Sequence, residues 1–85
     1  MLKNKKNILG PVIRQLRLKK DLTQERFVAK LNLLGWDLSR DTFAKLESQV
    51  RWIPDSEVPI LADALDVDPG ELFKLAAKKP TIKAG

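Results

Sequence analysis

The residues best suited to molecular recognition lie in the segment SRDTFAKLE, which spans residues 39–47. Phe43 and Leu46 are three positions apart, so in a helix they would share one face and could anchor it to a core. The polar residues of the segment would then lie on the other face; they are Arg40, Asp41, Thr42 and Lys45. A short helix with two apolar anchors and an outward polar face is what entry into a DNA groove requires.

Each of these polar residues has its own range of possible contacts. Arg40 could donate two hydrogen bonds to a guanine, or it could contact a phosphate or remain an exposed charge, and for a lone Arg the latter two are favoured. Asp41 could accept from a cytosine, or it could pair with Lys45 four residues later. Lys45 is a DNA contact on either account, and Thr42 could meet a thymine methyl group or a phosphate.

The preceding segment, TQERFVAKL, predicts another helix that begins after Thr23. Thr is a good N-cap, and the spacing of Phe27, Val28 and Leu31 gives the helix one apolar side. Gln24 lies at the helix start, where outward N–H groups can donate hydrogen bonds to a phosphate. The alternative for Gln24 is an ordinary exposed residue of the first turn.

The connection between these two helices is long. The earlier helix is expected to stop at Gly35, because Gly commonly ends helices, and Trp36 and Leu38 would cover the core from the loop. Ser39 is the expected N-cap of the later helix, which would run over residues 40–49. We therefore count Ser39 with the residues at the DNA-facing end of that helix.

Three further helices would hold this pair in place. The first begins near Gly10 and Pro11, since Pro is tolerated at the first helical position. The fourth is expected from Ser56 to Leu65, and the fifth follows Asp68 as its N-cap. The chain is thus expected to be all-α, with five helices. The expected divisions are a basic flexible arm at 1–8, the helical domain at 9–77 and a disordered tail at 78–85.

Composition bounds the possible functions. The chain has 85 residues, which is enough for one small domain, and it contains neither Cys nor His. Disulfides, thiolate zinc sites, nucleophilic Cys and acid–base His are therefore excluded. An enzyme is not expected, and the sequence predicts no cofactor and no metal site. There is no apolar run of transmembrane length and no apolar signal region, so we expect a cytoplasmic protein with no membrane contact.

Charge is distributed unevenly along the chain. Residues 1–54 contain twelve Lys and Arg against five acids, a balance of +7. Residues 55–73 contain six acids and no base, or −6, and residues 74–85 contain four Lys and no acid, or +4. The sum, 7 − 6 + 4, equals the net charge of +5. A basic region of this size beside an acidic block suggests one face for a polyanion.

The order of these segments resembles the phage-repressor and Xre-type helix-turn-helix family. The resemblance covers residues 9–73 and rests on RQLRLKKDLTQERFVAKL, on SRDTFAKLES and on LADALDVDPGELF. It implies a repressor-like DNA-binding domain with a helix-turn-helix. It also implies sequence-specific binding of double-stranded DNA by a homodimer, as in a transcriptional repressor on a palindromic operator.

The resemblance also implies roles for single residues. Gln24 matches a family Gln that contacts a phosphate and braces the reading helix, whose base-contacting positions are Arg40, Asp41 and Lys45 here. Arg17 and Glu47 match a structural ion pair of the family. The loop after the reading helix approaches the DNA backbone, which makes Arg51 a phosphate ligand there and leaves Trp52 as a lid on the core.

The chain departs from the minimal family pattern at two points. The turn between the second and third helices is longer, and Gln49 replaces the Gly that commonly follows the third helix. This replacement predicts a different helix ending.

One rival function is protein interaction. The acidic fourth helix could hold a protein partner, as in an antitoxin that also regulates its own gene through DNA.

Overall fold

The computed structural model describes residues 5–78, and within that range the chain is all-α, as predicted. None of its helices is long and apolar enough to cross a bilayer. A 3-10 turn at Asp55–Glu57 precedes the fourth of five α-helices. The helices are α1 Gly10–Lys19, α2 Gln24–Leu33, α3 Arg40–Glu47, α4 Val58–Ala64 and α5 Pro69–Ala77.

All five helices contribute to one core. Its largest fully buried side chains are Ile13, Phe27, Leu31, Phe43, Leu46, Leu61, Leu65 and Leu72. The rings of Phe27 and Phe43 lie 5.2 Å apart between centroids and are tilted by 48°, so α2 and α3 meet through an aromatic pair. Burying a side chain of this kind stabilises the fold by about 1.5–3 kcal/mol. The two apolar anchors predicted for α3 are therefore in place.

The two predicted N-caps of α2 and α3 are confirmed. Thr23 Oγ1 accepts a hydrogen bond from the Arg26 N–H at 3.0 Å. Ser39 Oγ accepts one from the Thr42 N–H at 3.1 Å. Each bond satisfies an N–H that has no partner within its own helix, which fixes where each helix begins.

Four helices end in the same way. In α1, α2, α3 and α4 the residue after the C-cap has a positive φ. The N–H of that residue and the N–H of the residue that follows it donate to carbonyls of the last helical turn. At the end of α2, Gly35 has φ +100°, and its N–H donates to the Asn32 carbonyl at 3.0 Å. The expectation of a different ending for α3 is wrong, because Gln49 adopts φ +70° in the corresponding position.

The start of α4 differs from the prediction. Ser56 is not its N-cap; it lies inside the 3-10 turn, and α4 begins at Val58. Pro59 falls in the first turn of α4, where its missing N–H breaks no helical hydrogen bond. Asp68 is at the predicted N-cap position of α5, but its side chain makes no capping bond.

The start of α1 lies directly against the end of α3. A Cβ added to Gly10 would be 2.5 Å from the Glu47 carbonyl oxygen and 2.8 Å from that of Leu46. No other residue fits at this approach without moving one of the two helices. Gly10 therefore sets the separation of α1 and α3.

The segment before α1 is bonded to the rest of the fold. The Lys6 N–H donates to the Gln49 carbonyl at 2.8 Å, and Gln49 Nε2 donates to the Asn7 carbonyl at 3.0 Å. Residues 6 and 7, which belong to the expected flexible arm, are therefore hydrogen-bonded to the residue that follows α3 and its C-cap. Residues 1–4 of that arm and residues 79–85 of the expected tail lie outside the described range.

Candidate nucleic-acid interface

The polar face of α3 points away from the core. Its charged members Arg40, Asp41 and Lys45 are exposed, as is the N-cap Ser39. Thr42 is half-buried, and its hydroxyl accepts from Ser39 Oγ at 3.1 Å. The surface therefore offers cationic donors, one carboxylate and two hydroxyls.

Asp41 and Lys45 do not neutralise each other. Among the ion pairs within residues 5–78, none joins these two side chains, although their spacing on α3 would allow one. Of the two roles considered for Asp41, internal pairing with Lys45 is absent from this structure. The carboxylate and the ammonium group are both presented at the surface.

Gln24 links the first turn of α2 to both ends of α3. Its Nε2 donates to Glu47 Oε1 at 2.9 Å, near the end of α3. Its Oε1 accepts from Arg40 Nη1 at 3.5 Å, at the start of α3, which is a long hydrogen bond. One amide side chain thus contacts a residue of the exposed face and a residue of the interior.

Arg17 and Glu47 form a bidentate ion pair inside the fold. Arg17 Nε lies 2.7 Å from Glu47 Oε2, and Arg17 Nη2 lies 3.1 Å from Glu47 Oε1. Arg17 Nη1 also donates to the Leu22 carbonyl at 2.6 Å. Both side chains are buried, so the pair holds the end of α3 against α1 in a region of low dielectric constant.

Arg51 has partners within the fold. Its Nη1 and Nη2 donate to the two carboxylate oxygens of Glu57 at 2.7 and 3.0 Å, and Nη1 also donates to the Trp52 carbonyl at 3.0 Å. The hydrogen bonds that Arg51 donates to Glu57 are the main reason that the pKa of Arg51 is raised; partial burial acts in the opposite direction. Its guanidinium carbon also lies 5.8 Å from the Trp36 ring centroid. A phosphate contact by Arg51 would have to compete with these partners.

Trp52 is not a lid on the core. Its side chain is 66% exposed, and the ammonium group of Lys6 lies 5.3 Å from its ring centroid. The apolar cover comes from elsewhere, since Leu38 is buried and Trp36 packs against the core, as predicted for both. Trp52 and Lys6 instead form an exposed aromatic and cationic surface beside the loop after α3.

Asn7 is a structural residue of this region that the sequence analysis did not identify. Its Nδ2 donates to the carbonyls of Leu46 at 3.0 Å and Arg51 at 2.8 Å, and its Oδ1 accepts from the Gly10 N–H at 2.7 Å. One side chain thus fixes both the start of α1 and the loop after α3. The only local signal is an Asn three residues before the helix start, where it can accept from a free N–H.

The dimensions of α3 suit a groove. Its eight residues make a helix about 12 Å long, and an α-helix with its side chains is about 10–12 Å across, which the major groove, about 12 Å wide, admits. The exposed charged residues Arg40 and Asp41 lie in its first turn. The arrangement can donate to, and accept from, a polar surface without moving the backbone.

Similarity to known proteins gives no independent assignment of this surface. The chain matches no protein-family model, and neither the curated proteins nor the solved structures give a significant match.

Proposed function

We propose that this chain binds double-stranded DNA sequence-specifically, with α2 and α3 acting as a helix-turn-helix and α3 entering the major groove. It would act as a transcriptional repressor, as a homodimer on a palindromic operator. The observation that carries the proposal is the exposed polar face of α3 on a helix whose inner face is fixed by Phe43, Leu46 and Glu47. A helix that is anchored on its inner face and has exposed polar groups can read base edges without an entropic cost of ordering its backbone.

The contacts divide into base readers and positioners. Arg40, near the start of α3, can donate two hydrogen bonds to a guanine, and Asp41 can accept one from a cytosine amino group. Lys45 extends this surface by one turn, and Thr42 can meet a thymine methyl group. Gln24 and the first N–H groups of α2 would hold a phosphate.

The test compares Arg40→Ala with wild type on two duplexes. The preferred site is first selected from random duplex DNA, and a scrambled duplex serves as the reference. Loss of a base contact should cost about 1–3 kcal/mol on the selected site and much less on the scrambled one. The loss should be concentrated at one base position per half-site. The matched control is Arg14→Ala, an exposed Arg of α1 that should leave the ratio of the two affinities unchanged.

Two results would redirect the proposal. Equal weakening on both duplexes would make Arg40 a positioner and not a base reader. No effect of either Arg40→Ala or Lys45→Ala would mean that α3 is not at the DNA. The antitoxin-like role, with a protein partner, would then become the leading function.

A further inference from the structure

An open groove lies away from the exposed face of α3. It has a volume of about 290 Å³, and none of the residues 39–45 lines it. Its walls come from the segment before α1, the region around the 3-10 turn, and α5. The lining residues are Lys6, Asn7, Ile8, Leu9, Ile53, Asp55, Val58 and Phe73.

The groove is bordered by apolar side chains that the fold leaves in solvent. Ile8 is 62% exposed and Phe73 is 47% exposed, although both lie beside buried core residues, Leu9 and Leu72. Single exposed apolar residues are ordinary, but here two of them line one groove and give it an apolar surface. Such surfaces mark sites of interaction with other molecules.

The same groove carries one charge of each sign. Lys6 and Asp55 are both exposed, and among the ion pairs within residues 5–78 neither takes part. A partner that carried charge of only one sign would place a like charge against either Lys6 or Asp55. A groove lined by apolar side chains and by one charge of each sign can be complementary to a copy of itself across a two-fold axis, because each charge then meets the opposite one.

We propose that this groove is the contact between two copies of the chain. Ile8 and Phe73 of one copy pack into the groove of the other, and Lys6 of each copy pairs with Asp55 of the second. The charge pair therefore occurs twice in the dimer. The proposal deepens the proposed function, because two copies present two α3 helices to a palindrome, but self-association is measured without DNA.

The test is a charge swap, followed by sedimentation over a range of protein concentrations. Lys6→Glu and Asp55→Lys should each weaken the dimer about tenfold or more, because like charges then face each other twice. The double variant should recover most of the wild-type affinity. Mixing the two single variants should also give a heterodimer that is tighter than either variant alone. Lys6→Glu removes the Lys6–Trp52 contact in both backgrounds, so recovery isolates the charge pair.

Substitutions of two exposed apolar residues, one on the groove and one away from it, provide the matched control. Ile8→Ser should weaken the dimer, while Leu33→Ser, at an 87% exposed position at the end of α2, should not. Thermal melting of each variant checks that it is folded.

A wild-type chain that stays monomeric at millimolar concentration overturns the proposal. So does a double variant that does not recover, which would mean that the groove takes another occupant. In either case a chain that still distinguishes the selected duplex leaves sequence-specific DNA binding standing, and a monomeric wild type removes only the homodimer from the proposed function.

Discussion

The side chain of Glu47 connects α3 to two other helices. Its carboxylate accepts from Arg17 Nε, from Arg17 Nη2 and from Gln24 Nε2, all within 3.1 Å. Residues from α1 and α2 are thereby attached to the end of α3 through one side chain. Within the described residues no buried side-chain nitrogen or oxygen lacks a partner, so this network is complete. Its value lies in holding one geometry more than in net stability.

We predict that Glu47→Gln destabilises the fold strongly, although the side chain keeps its size. Gln removes the negative charge and leaves the buried guanidinium of Arg17 uncompensated, which costs about 3–5 kcal/mol. The measurement is the free energy of unfolding from denaturant titration. The control is Glu25→Gln, at an exposed position of α2. Glu57→Gln is unsuitable as a control because Glu57 is paired with Arg51. Equal losses for Glu47→Gln and Glu25→Gln would show that the Arg17–Glu47 pair does not stabilise the fold.

At the scale of elements, the segment before α3 and the segment after it are in contact with each other. Arg51, in the loop after α3, is bonded to Glu57 before α4 and lies over Trp36 in the connection before α3. Asn7 adds a bond to the Arg51 carbonyl. Through these bonds Arg51 connects the segments on either side of α3. We therefore expect Arg51 to position α3; the phosphate contact expected from the sequence would compete with these partners.

We predict that Arg51→Gln and Glu57→Gln reduce the ratio of specific to non-specific DNA affinity by similar factors. The double variant should be no worse than either, because both single changes break the same pair. Binding titrations on selected and scrambled duplexes measure this coupling. The control is Asp66→Asn, which breaks the exposed Lys20–Asp66 pair and should have little effect. If Arg51 holds a phosphate, Glu57→Gln should instead strengthen binding to every duplex.

Local signals predicted the elements better than their contacts. The N-caps Thr23 and Ser39 and the helix stop at Gly35 depend on neighbouring residues, and the structure has all three. The bonds from Asn7 join residues 39 and 44 positions away, and no local pattern encodes such a separation. The positive φ of Gln49 was missed for the same reason. Its side chain is bonded to the segment before α1, which stabilises a conformation that normally favours Gly.

The exposed side of the site follows from the periodicity of the sequence, but the partners of its side chains do not. Periodicity places Arg40, Asp41 and Lys45 on the outer face of α3, because Phe43 and Leu46 must face the core. The sequence alone left pairing between Asp41 and Lys45 open, since that choice depends on side-chain rotamers. The resemblance led us to expect Trp52 as a lid on the core, yet the fold leaves it exposed beside Lys6.

At the scale of the whole molecule, internal ion pairs reduce the charge available to a polyanion. Residues 1–54 contain twelve Lys and Arg, and three of them, Arg17, Lys20 and Arg51, are paired within the fold. Nine therefore remain, since 12 − 3 = 9, and Lys3 among them lies outside the described residues. Two of the six acids in residues 55–73, Glu57 and Asp66, are paired with this basic region.

We predict that DNA binding depends strongly on salt, because each phosphate neutralised by these cations releases counterions. If four to eight phosphates are contacted, the logarithm of the binding constant should fall against the logarithm of salt concentration with a slope of roughly −4 to −7. The measurement is a series of titrations at several salt concentrations, with the selected and the scrambled duplex in parallel. The two duplexes should share most of the slope, because phosphate contacts do not depend on sequence, and should differ mainly in intercept. Arg51→Gln should leave the slope nearly unchanged, since that guanidinium is occupied by Glu57, whereas a true phosphate ligand would make it shallower by about one. A flat response to salt, or no duplex binding at low salt, would remove nucleic acid as the partner of this basic surface.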